Sequence, residues 1–225
     1  MKAVILAAGK GSRLNKLTKK TPKPLLMVNE KTLLEYKLDI LPKEIDEVII
    51  IVGYMKEKII DLLGNKYNNK KITYEEQKEL LGTGHALHMC KKYLKEKFIV
   101  LMGDDFYAKK DIEKCIQHEN CILVKKVKEK TTAAKVVMDE NNNLKEIIEG
   151  VSEENILINT GLYVLQPYFF GYDLVAIKGG KEFGLPQTII SLLSDHPVAI
   201  EEASFWMQIN TEKELETARK IIERK

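Results

Sequence analysis

Val48-Ile49-Ile50-Ile51-Val52 is apolar and β-branched at every position. A strand with one face in water alternates polar and apolar residues, so an unbroken run of this kind belongs in the middle of a sheet covered on both sides. The flanking sequence meets that requirement. Apolar β-rich stretches at 3–8, 48–52, 72–75 and 98–102 alternate with helical stretches at 32–41, 56–63 and 84–94, which predicts an α/β fold with a mostly parallel sheet and helices on both faces. Ligands of such sheets bind beyond the carboxyl ends of the strands, so the loops after Ala8, Val52 and Met102 are expected to share one crevice.

The second half changes rhythm. Short strands are expected at 122–127, 135–138 and 162–165, with Asn141-Asn142-Asn143 as a turn. A last helix over 212–224 follows Asn210-Thr211, either of which can cap it. With no Ser/Gly-rich linker and no internal repeat, residues 1–225 read as a single domain. Its first half runs to about residue 105, and a smaller αβ portion from about 106 extends the same sheet.

Of the 225 residues 44% are hydrophobic, enough for a real core, and the formal charge of +3 is spread over interleaved lysines and glutamates. Neither feature favours a nucleic-acid partner. Cys90, Cys115 and Cys121 form no C-x-x-C pair and read as reduced structural thiols. The six-residue apolar run before Gly9 is too short for a signal core or a membrane span, so a soluble cytoplasmic protein is expected.

Directly after the first strand comes Leu6-Ala7-Ala8-Gly9-Lys10-Gly11-Ser12-Arg13-Leu14. Small residues and glycines there let backbone amides approach an anion closely. The loop is no dinucleotide fingerprint, because Leu14 stands where a third glycine is required, and no P-loop, because it does not end in G-K-S or G-K-T. Two glycines alone could serve only as a tight turn. Arg13 and the proline-flanked Lys23 of Thr21-Pro22-Lys23-Pro24-Leu25 change the balance. The prolines are expected to fix an extended backbone that aims one ammonium, giving, with the arginine, a clamp for a triphosphate.

G-K-G-S-R followed by T-P-K-P-L resembles the signature of the sugar-1-phosphate nucleotidyltransferases, or nucleotide-sugar pyrophosphorylases. Later motifs follow in the same order over nearly the whole chain. The Leu81-Gly82-Thr83-Gly84-His85-Ala86 form is most similar to the N-acetylglucosamine-1-phosphate uridylyltransferases within that family. The resemblance implies a three-layer αβα Rossmann-like nucleotidyltransferase fold with a mixed, mostly parallel central sheet. It implies nucleotide binding by Leu6, Ala8, Gly9, Gly11 and Ser12, with Gln77, Gly82 and Thr83 at a pyrimidine base, and catalytic charge from Arg13 and Lys23. Leu80 departs from the glutamine usual in that subgroup.

Phe98-Ile99-Val100-Leu101-Met102-Gly103-Asp104-Asp105 ends a strand in two carboxylates, a sensible place for a hard cation. By the resemblance Asp104 ligates Mg²⁺ and Asp105 is a neighbour. Alignment on Trp206 would make Gln208 the second ligand. Alignment on Asn210-Thr211 and Leu215 makes it Asn210, which is preferred. Glu149, Asn159 and Gly103 are similar to the family's sugar-binding positions, whereas Gly150 stands where many relatives carry a phosphate-binding lysine, and Ala133-Ala134 where a glycine is usual. No role is expected for His85, His88, His118 or His196, and Trp206 reads as a core anchor.

The implied reaction joins a nucleoside triphosphate, UTP or dTTP favoured, to a sugar 1-phosphate, N-acetylglucosamine or glucose 1-phosphate favoured, and releases pyrophosphate. Two other readings stay open: a non-catalytic nucleotide or sugar sensor, and a cytidylyltransferase acting on a non-sugar phosphate. A homo-oligomer is left open. The 225 residues leave no room for the β-helical acyltransferase domain fused to some relatives, so only the nucleotidyl step is expected.

Overall fold

The structure, a computed structural model, describes residues 1–14 and 16–222; Arg224, the expected end of the last helix, lies outside the described residues. The chain runs β1 (Lys2–Leu6), β2 (Met27–Val28), β3 (Lys31–Thr32), α1 (Leu33–Asp39), β4 (Glu47–Val52), α2 (Lys56–Leu63), β5 (Lys66–Tyr67), β6 (Lys70–Glu76), α3 (Thr83–Met89) and β7 (Phe98–Met102). It continues through β8 (Asp105–Tyr107), α4 (Lys109–Cys115), β9 (Cys121–Val127), β10 (Thr131–Met138), β11 (Leu144–Glu153) and β12 (Ile156–Leu165). Last come α5 (Leu185–Ile190), β13 (Ala199–Glu202), β14 (Trp206–Gln208) and α6 (Glu212–Ile222).

One ten-stranded mixed sheet carries the molecule, in the order β11-β10-β12-β7-β1-β4-β6-β5, with β9 on the other edge of β12 and β13 beyond it. Parallel pairing is gathered in the first half, where β1 lies between β4 and β7 and β6 follows β4. From β12 outward the neighbours are antiparallel, except β13 beside β9. Antiparallel neighbours need only a tight turn between them. The asparagines supply one between β10 and β11, with Asn142 at φ 60° and the Asp139 carboxylate accepting from the Asn141 and Asn143 amides.

The sheet separates two apolar cores, which explains the unbroken run of β4. Val48, Ile50 and Val52 pack with Leu34, Leu38 and Ile59 on one face. Ile49 and Ile51 pack with Ala86 and Leu87 on the other. A third cluster, holding Val28, Leu33, Phe106 and Leu215, joins the β2–β3 hairpin to α6. No helix among the described residues is long and apolar enough to cross a membrane.

Two elements differ from expectation. The helix expected over 84–94 is regular only to Met89. Beyond it the Cys90, Lys91 and Tyr93 amides bond to carbonyls three residues back, so the same apolar period continues as tight turns. The strand expected to start at Leu162 starts at Ile156, and Asn159-Thr160-Gly161 forms a register shift inside it. Asn-Thr-Gly chemistry reads as a turn, and here it makes a bulge.

Candidate active site

Beyond Leu6 the chain leaves the sheet between its two parallel neighbours, held by Ala7 N donating to Ile51 O (2.9 Å) and Gly103 N donating to Leu6 O (3.0 Å). The glycine loop then curls over the carboxyl ends of β1 and β7 and encloses a cavity of about 420 Å³. Leu6, Gly9, Gly11, Ser12, Arg13 and Lys23 line it from the loop side, and Gly103, Asp104, Asp105, Gln208 and Asn210 from the sheet side. Ala8 is buried instead, its carbonyl accepting from the Tyr54 amide, so it ties the loop to the end of β4. Gly103, expected beside the sugar, lines this cavity with its amide donating to Leu6 O, while Glu149 and Asn159 line the neighbouring one.

Lys23 is 7% exposed. Pro22 is extended, as expected, but Lys23-Pro24-Leu25 forms a single 3-10 turn, since a proline in a first helical turn gives up an amide that would be unpaired anyway. Gly11 lies against it with φ 63°, and a Cβ there would come within 2.8 Å of Lys23 Cβ. Glycine at 11 therefore gives Lys23 its path into the cavity. The ammonium forms an ion pair with Asp104 Oδ2 and donates to Asn210 Oδ1 at 3.0 Å. Asn210 Nδ2 donates to Gln208 Oε1 (2.9 Å), so Gln208, the alternative ligand, orients the preferred one.

Thr211 caps α6 by accepting from the Glu214 amide, which leaves the Asn210 side chain to the cavity. An acidic oxygen and a carbonyl oxygen thus converge on one cation, a donor set that suits Mg²⁺ once phosphate oxygens and water complete it. Among the described residues no group of three or more His, Cys, Asp or Glu is placed to hold a metal.

A second cavity of about 310 Å³ opens alongside, lined by Thr83, Asp105, Glu149, Asn159, Trp206 and the Ala133-Ala134 stretch of β10, where the strand register shifts. Glu149 is exposed and accepts from Gln187 Nε2 (2.9 Å). Asn159 donates to the Tyr163 hydroxyl (2.5 Å) and accepts from Gly161 N (2.9 Å), so its side chain braces the bulge. Thr83, expected at the base, faces this second cavity, its hydroxyl accepting from Leu185 N (3.0 Å). It also makes no helix cap, a role taken by the Gly82 backbone.

A third cavity of about 200 Å³, at the ends of β4 and β6, is lined by Lys10, Tyr54, Glu76, Gln77, Lys78 and Leu80. Gln77 reaches it, but its side chain is buried, donating to Gly82 O (3.0 Å) and facing His85 Nδ1. Gly82 lies outside that cavity, pressed on Phe183, where a Cβ would meet the Phe183 carbonyl at 2.4 Å. The loop from 77 to 85 is therefore strapped shut by the residues expected to read a base.

Asp105, for which no binding or catalytic role was expected, stands at the junction of the first two cavities with Trp206 beside it. Asp105 lines both, and its Oδ2 accepts from Trp206 Nε1 (3.1 Å). Burial, then the neighbouring Asp104 charge, pushes its pKa up to about 7. Behind it lies Lys37, 1% exposed, with Nζ 4.4 Å from the centre of the Tyr107 ring and no hydrogen-bond partner among the described residues. Burial pulls its pKa down to about 8 against the opposing pull of Asp105. A lysine on the apolar stripe of α1, with Leu34 and Leu38, was the signal in the sequence.

Residues 2–225 match the family model described as Nucleotidyl transferase. The chain is 35% identical over 214 residues to the bifunctional protein GlmU of Methanococcus maripaludis, covering 93% of this chain and 51% of that protein. It is 35% identical over 173 residues to the D-glycero-alpha-D-manno-heptose 1-phosphate guanylyltransferase of Campylobacter jejuni, covering 76% of this chain and 78% of that one. A Bacillus anthracis protein assigned as a glucose-1-phosphate thymidylyltransferase, solved in complex with sucrose, superposes with a TM-score of 0.82 at 25% identity, covering 98% of this chain and 94% of its own. The chain spans about half the length of the GlmU relatives it matches. A family model met from the first strand through the last helix, on a sheet that superposes with a solved relative, leaves one assignment: the chain belongs to the nucleotidyl transferase family.

Proposed function

We propose that the protein transfers a nucleotidyl group from a nucleoside triphosphate, UTP or dTTP favoured, to a sugar 1-phosphate, glucose or N-acetylglucosamine 1-phosphate favoured, in the cytoplasm. The observation that carries this reading is the Lys23 ammonium held between Asp104 and Asn210 on the floor of a glycine-loop cavity that adjoins a second, polar one. A sugar phosphate oxygen attacks the α-phosphorus in line. The bond from the α-phosphorus to the α–β bridging oxygen breaks, and pyrophosphate leaves with that electron pair. Positioning and charge neutralisation suffice for such a step, with no covalent nucleophile.

The glycine loop cradles the triphosphate through its amides, Arg13 faces the leaving pyrophosphate, and Lys23 meets charge on the transferred phosphoryl group. Asp104 and Asn210 would hold Mg²⁺, which when bound neutralises phosphate charge. Arg13 and Lys23 both line the first cavity, so the acceptor's phosphate meets its cations there, and Gly150, which lines neither of the first two cavities, takes no part. Glu149 and Thr83 offer hydrogen bonds to the sugar hydroxyls. The base would occupy the third cavity, against Tyr54 and Leu80, with the Gln77 backbone at its rim.

The test is a matrix of nucleoside triphosphates against sugar 1-phosphates with pyrophosphate release measured at millimolar Mg²⁺. Turnover with at least one sugar 1-phosphate and a uridine or thymidine triphosphate is expected. Ligand binding without pyrophosphate release from any pair would make the protein a sensor and overturn the reading.

A further inference from the structure

We propose that Asp105, with the buried Lys37 as its counter-charge, accepts a hydrogen bond from the sugar substituent on the carbon next to the anomeric centre, and thereby selects which sugar 1-phosphates are used. This rests on the transfer reaction proposed above. Asp105 is on the wall of both the phosphate cavity and the sugar cavity. A sugar 1-phosphate lying across the two has its anomeric carbon at that junction, and the nearest ring substituent is the one on C2.

The carboxylate is half committed. Trp206 Nε1 holds Oδ2, and Oδ1 takes no hydrogen bond from the described residues. An ionised carboxylate oxygen only accepts, so it takes a hydroxyl or an amide N–H and gains nothing from a carbon that bears neither. Strand pairing fixes its position, because Gln208 lies opposite Asp105 and Trp206 opposite Tyr107. The Tyr107 hydroxyl in turn donates to Thr160 O in the bulge that lines the sugar cavity.

Lys37 explains how the chain tolerates a carboxylate in this place. Its ammonium is enclosed, stacked over Tyr107, and forms no hydrogen bond to Asp105, so it compensates the charge through space without consuming the acceptor. A buried lysine without a hydrogen bond is costly wherever it lacks an opposing charge. Lys37 is accordingly a positioning residue, and Asp105 is the group that touches substrate.

The experiment compares glucose or N-acetylglucosamine 1-phosphate, whichever the full chain turns over faster, with 2-deoxyglucose 1-phosphate. Wild type, Asp105→Leu, Lys37→Met and the double variant Lys37→Met/Asp105→Leu are each assayed for pyrophosphate release. Leucine keeps the bulk of the side chain and offers the C2 substituent neither an acceptor nor a donor, whereas an asparagine NH₂ could still donate to a hydroxyl. The KM for the C2-substituted sugar is then expected to rise roughly tenfold or more in Asp105→Leu, with the triphosphate KM within about twofold. Wild-type preference over the 2-deoxy compound is expected to disappear. The double variant, which removes both charges and should melt no lower than wild type, is expected to show the same lost preference, separating it from misfolding. Lys37→Met alone is expected to melt lower and to lose the preference as well.

A preference for the C2 substituent that persists in the double variant, or is absent from wild type, overturns the assignment while leaving the transfer reaction standing. So does a parallel rise in both KM values. A wild-type chain that turns over no sugar 1-phosphate overturns both together.

Discussion

Lys23 is the residue on which the site converges, for it touches groups 81 and 187 positions away. In the proposed reaction Lys23→Ala removes the cation that meets phosphate charge, and kcat is expected to fall on the order of a hundredfold or more, read as pyrophosphate release, with an unchanged circular dichroism spectrum. Gly11→Ala acts on the same ammonium from behind. Its methyl would sit 2.8 Å from Lys23 Cβ at a φ of 63°, so a loss of about 1 kcal/mol or more in thermal unfolding is expected together with reduced turnover. A fully active Gly11→Ala enzyme would show that the loop does not place Lys23 by contact. At this scale the gathering of Gly9, Gly11, Ser12, Arg13 and Lys23 around one cavity was legible, because a glycine loop, an arginine and a proline-flanked lysine stand close together in the sequence. Asp105 and Lys37 were not, since each matters only opposite the other, 68 positions apart, a pairing that becomes visible when α1 and β8 pack together.

Elements place those residues by burial, and β4 shows how. Ile50 is wholly buried among the residues of one core while Ile49 and Ile51 serve the other. Ile50→Ala is expected to cost about 2–5 kcal/mol in urea unfolding. The ratio of the two substrates' KM values should stay unaltered at temperatures where the variant is folded. The strands of the parallel half were legible from their unbroken apolar runs. In the antiparallel half, β12 was legible only from Leu162 onward. Asn159, Thr160 and Gly161 have turn-forming side chains, and it takes the partner strand, through Thr160 Oγ1 donating to Leu123 O (2.7 Å), to hold them as a bulge instead. The surroundings of Thr83 were hidden for a similar reason, because its partner is the Leu185 amide, 102 positions on.

Across the whole molecule, Lys23 links Asp104 to Asn210 directly, so the fold does not depend on an ion to join them. Chelation with EDTA is therefore expected to abolish pyrophosphate release and leave the melting temperature unchanged; a large drop on chelation would place a structural metal in the fold. The same linkage joins residues made far apart in the order of synthesis. α6 is anchored on the β2–β3 hairpin by Arg219 donating to Met27 O (3.1 Å), and Asn210 immediately precedes that helix. At ribosomal rates the 187 positions between Lys23 and Asn210 take on the order of ten to forty seconds to translate. Through that interval the nascent chain carries the glycine loop and Lys23 but lacks the asparagine whose Oδ1 accepts from that ammonium. The pair of oxygens that Asp104 and Asn210 bring to Lys23 is thus incomplete until residue 210 has been made, a timing imposed by topology alone.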